Sequence, residues 1–243
     1  MDTIGESPPV RRNRENLADL AYDRLEELIV SCTLKPGVSL SIQDLQQATG
    51  IGRTPTHQAV SRLAADTLII IHPRHGLQIA PIDLSRERTL LRLRRDMERF
   101  VVRLAARHAS GSHRNQALHI IRALRTSAGD MSVSDFNRLD RRVDQLVSAA
   151  SGEPFLEHTL RPLHTISRRI GWIYHTHVAP TEGVHQTIAC HLAVLEAVAD
   201  RRVEDAVEAS DRLIAFSDSM FDVIEADVDP ALLDCTLAVA AAD

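Results

Sequence analysis

The chain has 243 residues, 44% of them hydrophobic, which is enough for two domains with separate cores. Its formal net charge of −5 argues against a protein that coats polyanions without selectivity. The three cysteines, Cys32, Cys190 and Cys235, are far apart, so the sequence indicates neither a disulfide framework nor a cysteine-based zinc site. There is no run of eighteen apolar residues and no apolar core for a signal peptide, so we expect a cytoplasmic protein.

The amino-terminal segment predicts a leader followed by one helix. Residues 1–15 are expected to form a flexible leader. A helix over residues 16–31 would bury one apolar side, and Lys35-Pro36-Gly37 predicts the turn after it. The apolar side of this helix is formed by Leu17, Leu20, Ala21, Leu25, Leu28 and Ile29.

A second, short helix is predicted near residue 42. Ile42, Leu45 and Ala48 have the spacing of one buried stripe over about two turns. Gly50 can adopt the left-handed conformation that ends such a helix. A short helix that ends in a tight turn is typical of the first half of a helix-turn-helix motif.

A third helix is predicted over residues 53–65. Its apolar face would carry Ala59, Val60 and Leu63, which leaves Arg53, Thr54, His57 and Arg62 on the other faces. Pro55 suits the first turn of a helix, where its missing N–H has no intrahelical acceptor. The first turn would therefore present a guanidinium, a hydroxyl and an imidazole to a groove.

Two β-rich runs follow the third helix. Residues 68–71 are apolar and largely β-branched, and residues 78–80 can pair back across a tip. The tip is Pro73-Arg74-His75-Gly76. The whole segment 40–80 has the plan of a winged helix-turn-helix, which indicates DNA binding. An arm that follows the DNA backbone is then the alternative for the leader at residues 1–15.

Charge supports DNA binding only locally. Residues 1–80 contain eight basic and nine acidic side chains, but within 50–80 Arg53, Arg62 and Arg74 face only Asp66. A winged helix that binds another protein is the alternative.

The third helix and the wing resemble the GntR family of bacterial transcription regulators, in which the recognition helix commonly opens with a small residue followed by Arg-Thr-Pro. Here those residues are Gly52-Arg53-Thr54-Pro55. The resemblance and the basic wing tip together imply six DNA-binding residues: Arg53, Thr54, His57, Arg74, His75 and Gly76.

The chain departs from the family pattern at two of its polar positions. His57 and Gln43 stand where the family usually has arginine. Two contacts to phosphate or base therefore lose a permanent charge, which would alter operator affinity and preference.

The rest of the chain predicts an all-helical domain. After a linker at residues 81–83, helical periodicity continues over residues 84–228, and residues 229–243 form a tail that packs as a short helix or frays. Six helices are predicted, at 84–108, 112–127, 132–150, 153–175, 182–200 and 202–226, and they are separated at Gly111, Gly129, Gly152-Glu153-Pro154, Pro180 and Asp200. The predicted fold is mainly α: a winged helix-turn-helix with a small β-wing, followed by a six-helix bundle.

This bundle resembles the FCD domain of the FadR branch of the family, which implies a domain for effector binding and dimerisation. The resemblance is carried by Arg94 and Glu98, by the segments 139–144 and 151–156, and by the run 191–197. It implies a homodimer that binds a double-stranded operator and a small-molecule effector, usually an organic acid.

Many domains of this type hold a divalent metal, and the resemblance maps its ligand positions onto Asp140, Asp144, His191 and Leu213. Two usual histidines are thus replaced, by Asp144 and by Leu213, and leucine cannot bind a metal. The candidate metal ligands are Asp140, Asp144 and His191. The alternative is that the two aspartates are interior residues paired with arginines and that His191 is a buried, hydrogen-bonded histidine.

Arg94 corresponds to an arginine that often faces the effector cavity in this family, where a guanidinium can bind a carboxylate through two bonds. A salt bridge with Glu98, or an exposed face shared with other arginines, is the alternative. Helical period places His164, Arg168 and Trp172 on one face of their helix. The candidate effector-binding residues are Arg94, Arg168 and Trp172.

The sequence therefore predicts a ligand-responsive transcriptional regulator, a repressor that its effector releases from DNA. The chain has no nucleophile motif and no phosphate-binding glycine loop, so we expect no enzymatic activity. The rival functions are a dimeric protein-interaction module and a metalloenzyme that activates water at Asp140, Asp144 and His191.

Overall fold

The computed structural model describes residues 16–127, 129–180 and 183–237, so the predicted leader lies outside the described residues. Within these ranges the chain forms a small three-stranded sheet and a larger helical part. The strands are β1 (Ser39–Leu40), β2 (Ile69–His72) and β3 (Gly76–Ile79). The α-helices are α1 (Leu17–Val30), α2 (Ile42–Thr49), α3 (Arg53–Ala65), α4 (Leu84–His108), α5 (Gly111–Ser127), α6 (Val133–Ser151), α7 (Pro154–Ile173), α8 (His185–Ala199), α9 (Val203–Asp227) and α10 (Pro230–Leu233).

The winged part begins and ends its helices with local signals. The Asn16 side chain accepts a hydrogen bond from the Ala18 amide at 3.1 Å and caps α1. Ser41 and Asp44 form a reciprocal capping box at the start of α2. Gly50 ends α2 with φ of +67°, as its position in the sequence predicts.

The wing is a β-hairpin at the predicted place. The sheet order is β1-β3-β2, all antiparallel, and His72 lies opposite Gly76 at the tip. Gly76 has φ of +94°, and a Cβ there would lie 3.1 Å from the Leu40 carbonyl oxygen. Glycine therefore lets the tip turn and lets β1 approach β3 closely.

Burial differs from the predicted stripes at a few positions. Leu17 is 56% exposed, while Tyr22 and Glu26 of the same helix are buried. In α2 it is Thr49, not Ala48, that is buried, and its hydroxyl donates to the Leu45 carbonyl at 2.8 Å. The sequence pattern identified the apolar residues but not the neighbouring helices that decide which of them are covered.

Helices α4 to α9 form the predicted bundle. The 25-residue α4 packs along α9 and α6 and also contacts α7 and α8, so it lies at the centre of the helical part. Ser132 caps α6, and Gly152 ends it with φ of +82°. After Ile173 the last turn of α7 widens into a π-helix, Tyr174–Val178, where the sequence predicted that the α-helix would continue to residue 175.

Helix α1 of the winged part contacts α6 and α7 through buried and partly buried polar side chains. Glu26 is 2% exposed; its Oε2 lies 2.5 Å from Arg141, and the Thr165 hydroxyl donates to its Oε1. The Tyr22 ring lies beneath the Arg161 guanidinium at 4.3 Å, and its hydroxyl donates to Asp66 at 2.8 Å. Glu26 and Tyr22 of α1 are thus joined to the bundle by an ion pair, a hydrogen bond and a ring–guanidinium contact.

The described part of the tail, residues 229–237, packs against the linker and the winged part. The Ile82 amide donates to the Leu233 carbonyl at 2.8 Å, and the Cys235 amide donates to the Pro36 carbonyl at 2.9 Å. Among the helices of the described residues, none combines the length and the apolar character that a bilayer span requires.

Candidate nucleic-acid interface and buried charged cavity

Helix α3 presents the predicted polar residues to solvent. Arg53, Thr54 and His57 are exposed on its first turns, and the side chains of Arg53 and His57 make no hydrogen bond or ion pair with another described residue. The opposite face is buried and consists of Thr56, Ala59, Val60 and Leu63. One face of α3 thus anchors the helix while the other leaves a guanidinium and an imidazole available to an acceptor.

The wing tip is likewise exposed. Arg74, with φ of +68°, and His75 and Gly76 are all open to solvent, and the His75 amide donates to the His72 carbonyl at 3.0 Å. Arg62 behaves differently: its guanidinium pairs with Asp19 at 2.5 Å and covers the Tyr22 ring. The exposed cations are therefore fewer than the sequence count implied, because tertiary contacts with α1 occupy Arg62.

The helical part contains a small cavity of about 40 Å³, room for a few water molecules. Helices α4, α6, α7, α8 and α9 and the π-helix all contribute to its wall. The charged and imidazole side chains of the wall are Arg94, Asp140, Arg168, His175 and His191. A second, smaller cavity shares Arg94, His191 and Leu213 with it and also contacts Glu98, Asp144 and His164.

Asp140 and His191 form the first of two carboxylate–imidazole contacts in this region. His191 Nε2 lies 2.6 Å from Asp140 Oδ1, and its Nδ1 donates to the Thr187 carbonyl at 2.7 Å. Although burial opposes the charged ring, the carboxylates of Asp140 and Asp144 raise the pKa of His191 above its usual value. Burial also opposes ionisation of Asp140, but the positive charges of His191, Arg168 and Arg94 keep its pKa below the usual range.

Arg168 lies between the two aspartates of α6. Its Nη1 is 2.5 Å from Asp144 Oδ2 and 3.3 Å from Asp140 Oδ2, and the residue is 8% exposed. The two carboxylates are spaced i, i+4, so they face the same side of α6 and share this one guanidinium. The interior pairing with an arginine that the sequence offered as an alternative is present.

Glu98 and His164 form the second contact. His164 Nε2 lies 2.6 Å from Glu98 Oε1, and Nδ1 lies 3.2 Å from Asp144 Oδ2. Arg94 Nε donates to the same Glu98 oxygen at 3.2 Å, so the i, i+4 salt bridge that the sequence offered as the alternative for Arg94 exists in the wall of the second cavity. Burial opposes ionisation of Glu98, but His164 and Arg94 lower its pKa to about 2. Asp144 differs, since burial raises its pKa.

The three candidate effector residues do not share one cavity. Arg94 and Arg168 both line the 40 Å³ cavity. Trp172 is half-buried and lines a separate cleft between α1, α6 and α7, together with Arg168 and Glu26. Arg168 is therefore the residue that the cavity and the cleft have in common.

Sequence reasoning missed two residues that shape this region, Glu26 and Thr187. Thr187 bonds two cavity histidines: its carbonyl accepts from His191, and its hydroxyl lies 2.9 Å from His175 Nε2. Nothing in the local pattern distinguishes Thr187, but Glu26 occupies the stripe formed by Tyr22 and Ile29, where a buried carboxylate calls for a cationic partner on another helix.

Comparison with known proteins supports one assignment over most of the chain. Residues 89–216 match the FCD domain, and residues 17–79 match the family described as bacterial regulatory proteins, gntR family. The HTH-type transcriptional repressor RspR of Escherichia coli K12 is 27% identical over 77% of this chain and 80% of its own. The uncharacterized HTH-type transcriptional regulator YdfH of E. coli O6:H1 is 26% identical over 84% and 85%. The E. coli McbR/YncC structure has the same fold, with a TM-score of 0.73 at 16% identity over 85% of this chain and 97% of its own.

Proposed function

The chain belongs to the GntR family of bacterial regulatory proteins and carries an FCD domain, and we propose that it is a dimeric repressor that a small organic acid releases from its operator. The observation that carries the proposal is the pair of buried guanidiniums, Arg94 and Arg168, that line one cavity of the helical part. The 27% identical relative RspR, which is named a repressor, supports the direction of the regulation.

DNA contact is assigned to the exposed residues of α3 and the wing tip. Arg53 and Thr54 at the start of α3 would meet base edges and phosphates, and His57 would add a neutral hydrogen-bonding contact. Arg74 and His75 of the wing would contact the backbone. Gly76 supplies the turn that brings the tip close to the duplex.

A homodimer would place two such faces on an inverted repeat. Two α3 helices read equivalent half-sites when these are about 34 Å apart, one helical turn of DNA, or a multiple of that distance. The net charge of −5 means that non-specific attraction to DNA is weak, so two matched half-sites would contribute most of the affinity.

The effector would be a carboxylate because the cavity offers guanidinium donors in a desolvated setting. Arg94 currently donates to Glu98 and Arg168 to Asp144, and an incoming carboxylate would compete for these donors. Because the cavity holds only about 40 Å³, an acid of several heavy atoms must displace side chains as it binds. Ligand binding is thereby coupled to movement of the helices that carry those side chains.

Arg168 provides a physical link from the cavity to the DNA-binding part. Its Nη2 lies 3.8 Å from Glu26 Oε1, and Glu26 belongs to α1, which packs on α3. A carboxylate that draws Arg168 towards the cavity would weaken its attraction to Glu26. The position of α1, and with it α3, would then depend on the occupant of the cavity.

DNA binding is tested by capture of genomic fragments with the full-length protein, for wild type, Arg53→Ala and Arg92→Ala. Arg92 is exposed on α4, away from α3, and serves as the matched control. We expect wild type and Arg92→Ala to enrich one short inverted repeat and Arg53→Ala to lose it. Equal enrichment by all three proteins would overturn the assignment of α3.

The effector role is tested by release from the captured site with acetate, lactate, succinate and longer dicarboxylates. Wild type should be released by at least one acid, and Arg94→Lys, which keeps the charge but not the two-pronged donor, should respond at least tenfold more weakly. Arg92→Ala again serves as the control. An unchanged response in Arg94→Lys would remove Arg94 from the effector site.

A further inference from the structure

Asp140 and Asp144, which stand at two of the family's metal-ligand positions, already share one positively charged side chain, Arg168. Arg168 Nη1 lies within hydrogen-bonding distance of both Asp140 Oδ2 and Asp144 Oδ2, at 3.3 and 2.5 Å. A guanidinium cannot be deprotonated under ordinary conditions, so its positive charge is permanent. A divalent ion bound by these carboxylates would have to displace it.

The histidine that would complete a metal site has no free nitrogen. His191 Nδ1 donates to the Thr187 carbonyl, as it would in a metal-bound histidine, so only Nε2 could bind an ion. That nitrogen lies 2.6 Å from Asp140 Oδ1, and a contact this short with a carboxylate needs a proton on Nε2, which leaves no lone pair for a metal. Leu213, at the fourth position, contributes only an apolar side chain to the wall. The residues Asp140, Asp144 and His191 therefore do not fit a resident metal in this arrangement.

A neighbouring set of potential ligands is also occupied. Oxygen and nitrogen atoms of Glu98, Asp144 and His164 lie within 4.8 Å of one another, the one group of this kind among the residues that the structure describes. However, His164 already joins the two carboxylates through both nitrogens, at 2.6 and 3.2 Å. The imidazole ring itself bridges the carboxylates that an ion would bridge.

The charges of the region are balanced without a metal. Two buried carboxylates, Glu98 and Asp140, and the partly buried Asp144 face two buried guanidiniums, Arg94 and Arg168, and the imidazoles of His164 and His191, so each carboxylate already has a partner. A divalent ion would add two positive charges beside both guanidiniums, where the low dielectric makes like charges repel strongly.

We propose that Arg168 takes the place of a metal ion in this bundle, so that the cavity binds its anionic ligand through guanidinium groups without any divalent cation. The ligand class rests on the proposed function, whereas the absence of a metal requirement rests on the contacts of Arg168, His164 and His191 alone. A single guanidinium thus both pairs with the two α6 aspartates and faces the ligand.

The first test is the metal content of the full-length protein after dialysis against Mn²⁺, Ni²⁺ or Zn²⁺ and gel filtration. Wild type should retain less than about 0.1 ion per chain, and EDTA should not change its melting temperature. About one ion per chain, or a melting temperature that EDTA lowers, would overturn the proposal.

Two variants test whether Arg168 is what keeps a divalent ion from binding to Asp140 and Asp144. Arg168→Gln leaves Asp140 and Asp144 without their shared cation and should bind Mn²⁺ at least tenfold more tightly than wild type. Arg141→Gln is the matched control, because Arg141 lies on α6 but pairs with Asp23 and Glu26 instead, and it should bind no better than wild type. No gain in Arg168→Gln, or an equal gain in both variants, would refute the role of Arg168. If Arg168→Gln does not fold, the metal content of the wild type still decides.

Operator release by organic acids in EDTA separates this inference from the proposed function. Release that persists in EDTA supports both. Release that occurs only with added Mn²⁺, Ni²⁺ or Zn²⁺ would overturn the metal-free cavity and leave the repressor function intact. No release under any condition would refute the proposed effector, while the measured metal content would still support or overturn the role of Arg168.

Discussion

The proposed DNA-binding surface and the cavity hold arginines under opposite conditions. Arg53 and Arg74 stand in water without an ion-pair partner in the described chain, whereas Arg94 and Arg168 are less than 9% exposed and each has a carboxylate within 3.2 Å. Water solvates the first set, so its charges cost folding almost nothing and stay available for phosphate. The second set has lost its water, so each charge is stable only with its partner. Substitutions at the surface should therefore leave the free energy of unfolding unchanged, whereas substitutions in the cavity should lower it. DNA affinity should change when the surface residues are substituted.

The largest effect on folding is expected from Asp140→Ala. The change leaves His191 without its carboxylate and Arg168 with one aspartate fewer, so the free energy of unfolding should fall by about 3 to 5 kcal/mol. Urea denaturation measures this, with Asp96→Ala as the control because Asp96 is exposed on α4. Similar midpoints for both variants would contradict the idea that the cavity charges depend on one another.

The next largest effect is a dependence of the free energy of unfolding on pH, which we expect from Glu87. This residue is 2% exposed, and its Oε2 has no hydrogen-bond partner among the described residues. Burial raises its pKa from 4.5 to about 7. The folded protein then binds this proton more tightly than the unfolded chain, so the residue's contribution to stability falls as pH rises from about 4.5 to about 7. The free energy of unfolding of Glu87→Gln should exceed that of wild type by about 3 kcal/mol at pH 8, and the two should be equal at pH 4.

The control for this pH effect is Glu157→Gln, because Glu157 is exposed on α7. Its difference from wild type should not change with pH. A Glu87→Gln variant whose unfolding profile runs parallel to that of wild type between pH 4 and 8 would show that Glu87 titrates normally.

A smaller effect is expected at the contact between the two regions. Glu26→Gln keeps the shape of the side chain but removes the charge that pairs with Arg141, so unfolding should become about 2 kcal/mol easier. The matched control is Glu27→Gln, exposed on the same helix. If both variants have the same urea midpoint, the buried contact of α1 with the bundle does not contribute to stability.

The smallest effect on folding is expected from His57→Arg. The site is exposed, so the urea midpoint should not move, but the added permanent charge should strengthen operator binding at low salt. The slope of log affinity against log salt should steepen by about one. An unchanged slope would place residue 57 away from the phosphates.

Helix positions could be predicted from sequence because their signals are local. Ser132 and Gly152 at the ends of α6, and Gly50 after α2, act within one turn of the residues they terminate. The wing was found for the same reason, since Gly76 and the β-branched run before it suffice for a hairpin. The π-helix after Ile173 was not found, because it lies against α9 and depends on that contact.

The candidate cavity was only partly predictable. Helical period placed Arg168 and His164 on one face, and both are buried in the bundle. The same period placed Trp172 with them, yet the α1 helix of the winged part covers that end of α7, and Trp172 lines the cleft beside it. Periodicity assigns a residue to a face but does not say which neighbour the face meets along its length.

The sequence by itself determined the order and type of the elements, the winged helix-turn-helix and its exposed basic residues, because these depend on spacing, caps and turn residues within a few positions of one another. Only the tertiary structure decided how the charges pair. Glu26 meets Arg141 across 115 positions of sequence, and Arg168 meets Asp140 across 28. Such contacts depend on the packing of helices that are distant in sequence, and the loss of water on burial then makes each pairing obligatory.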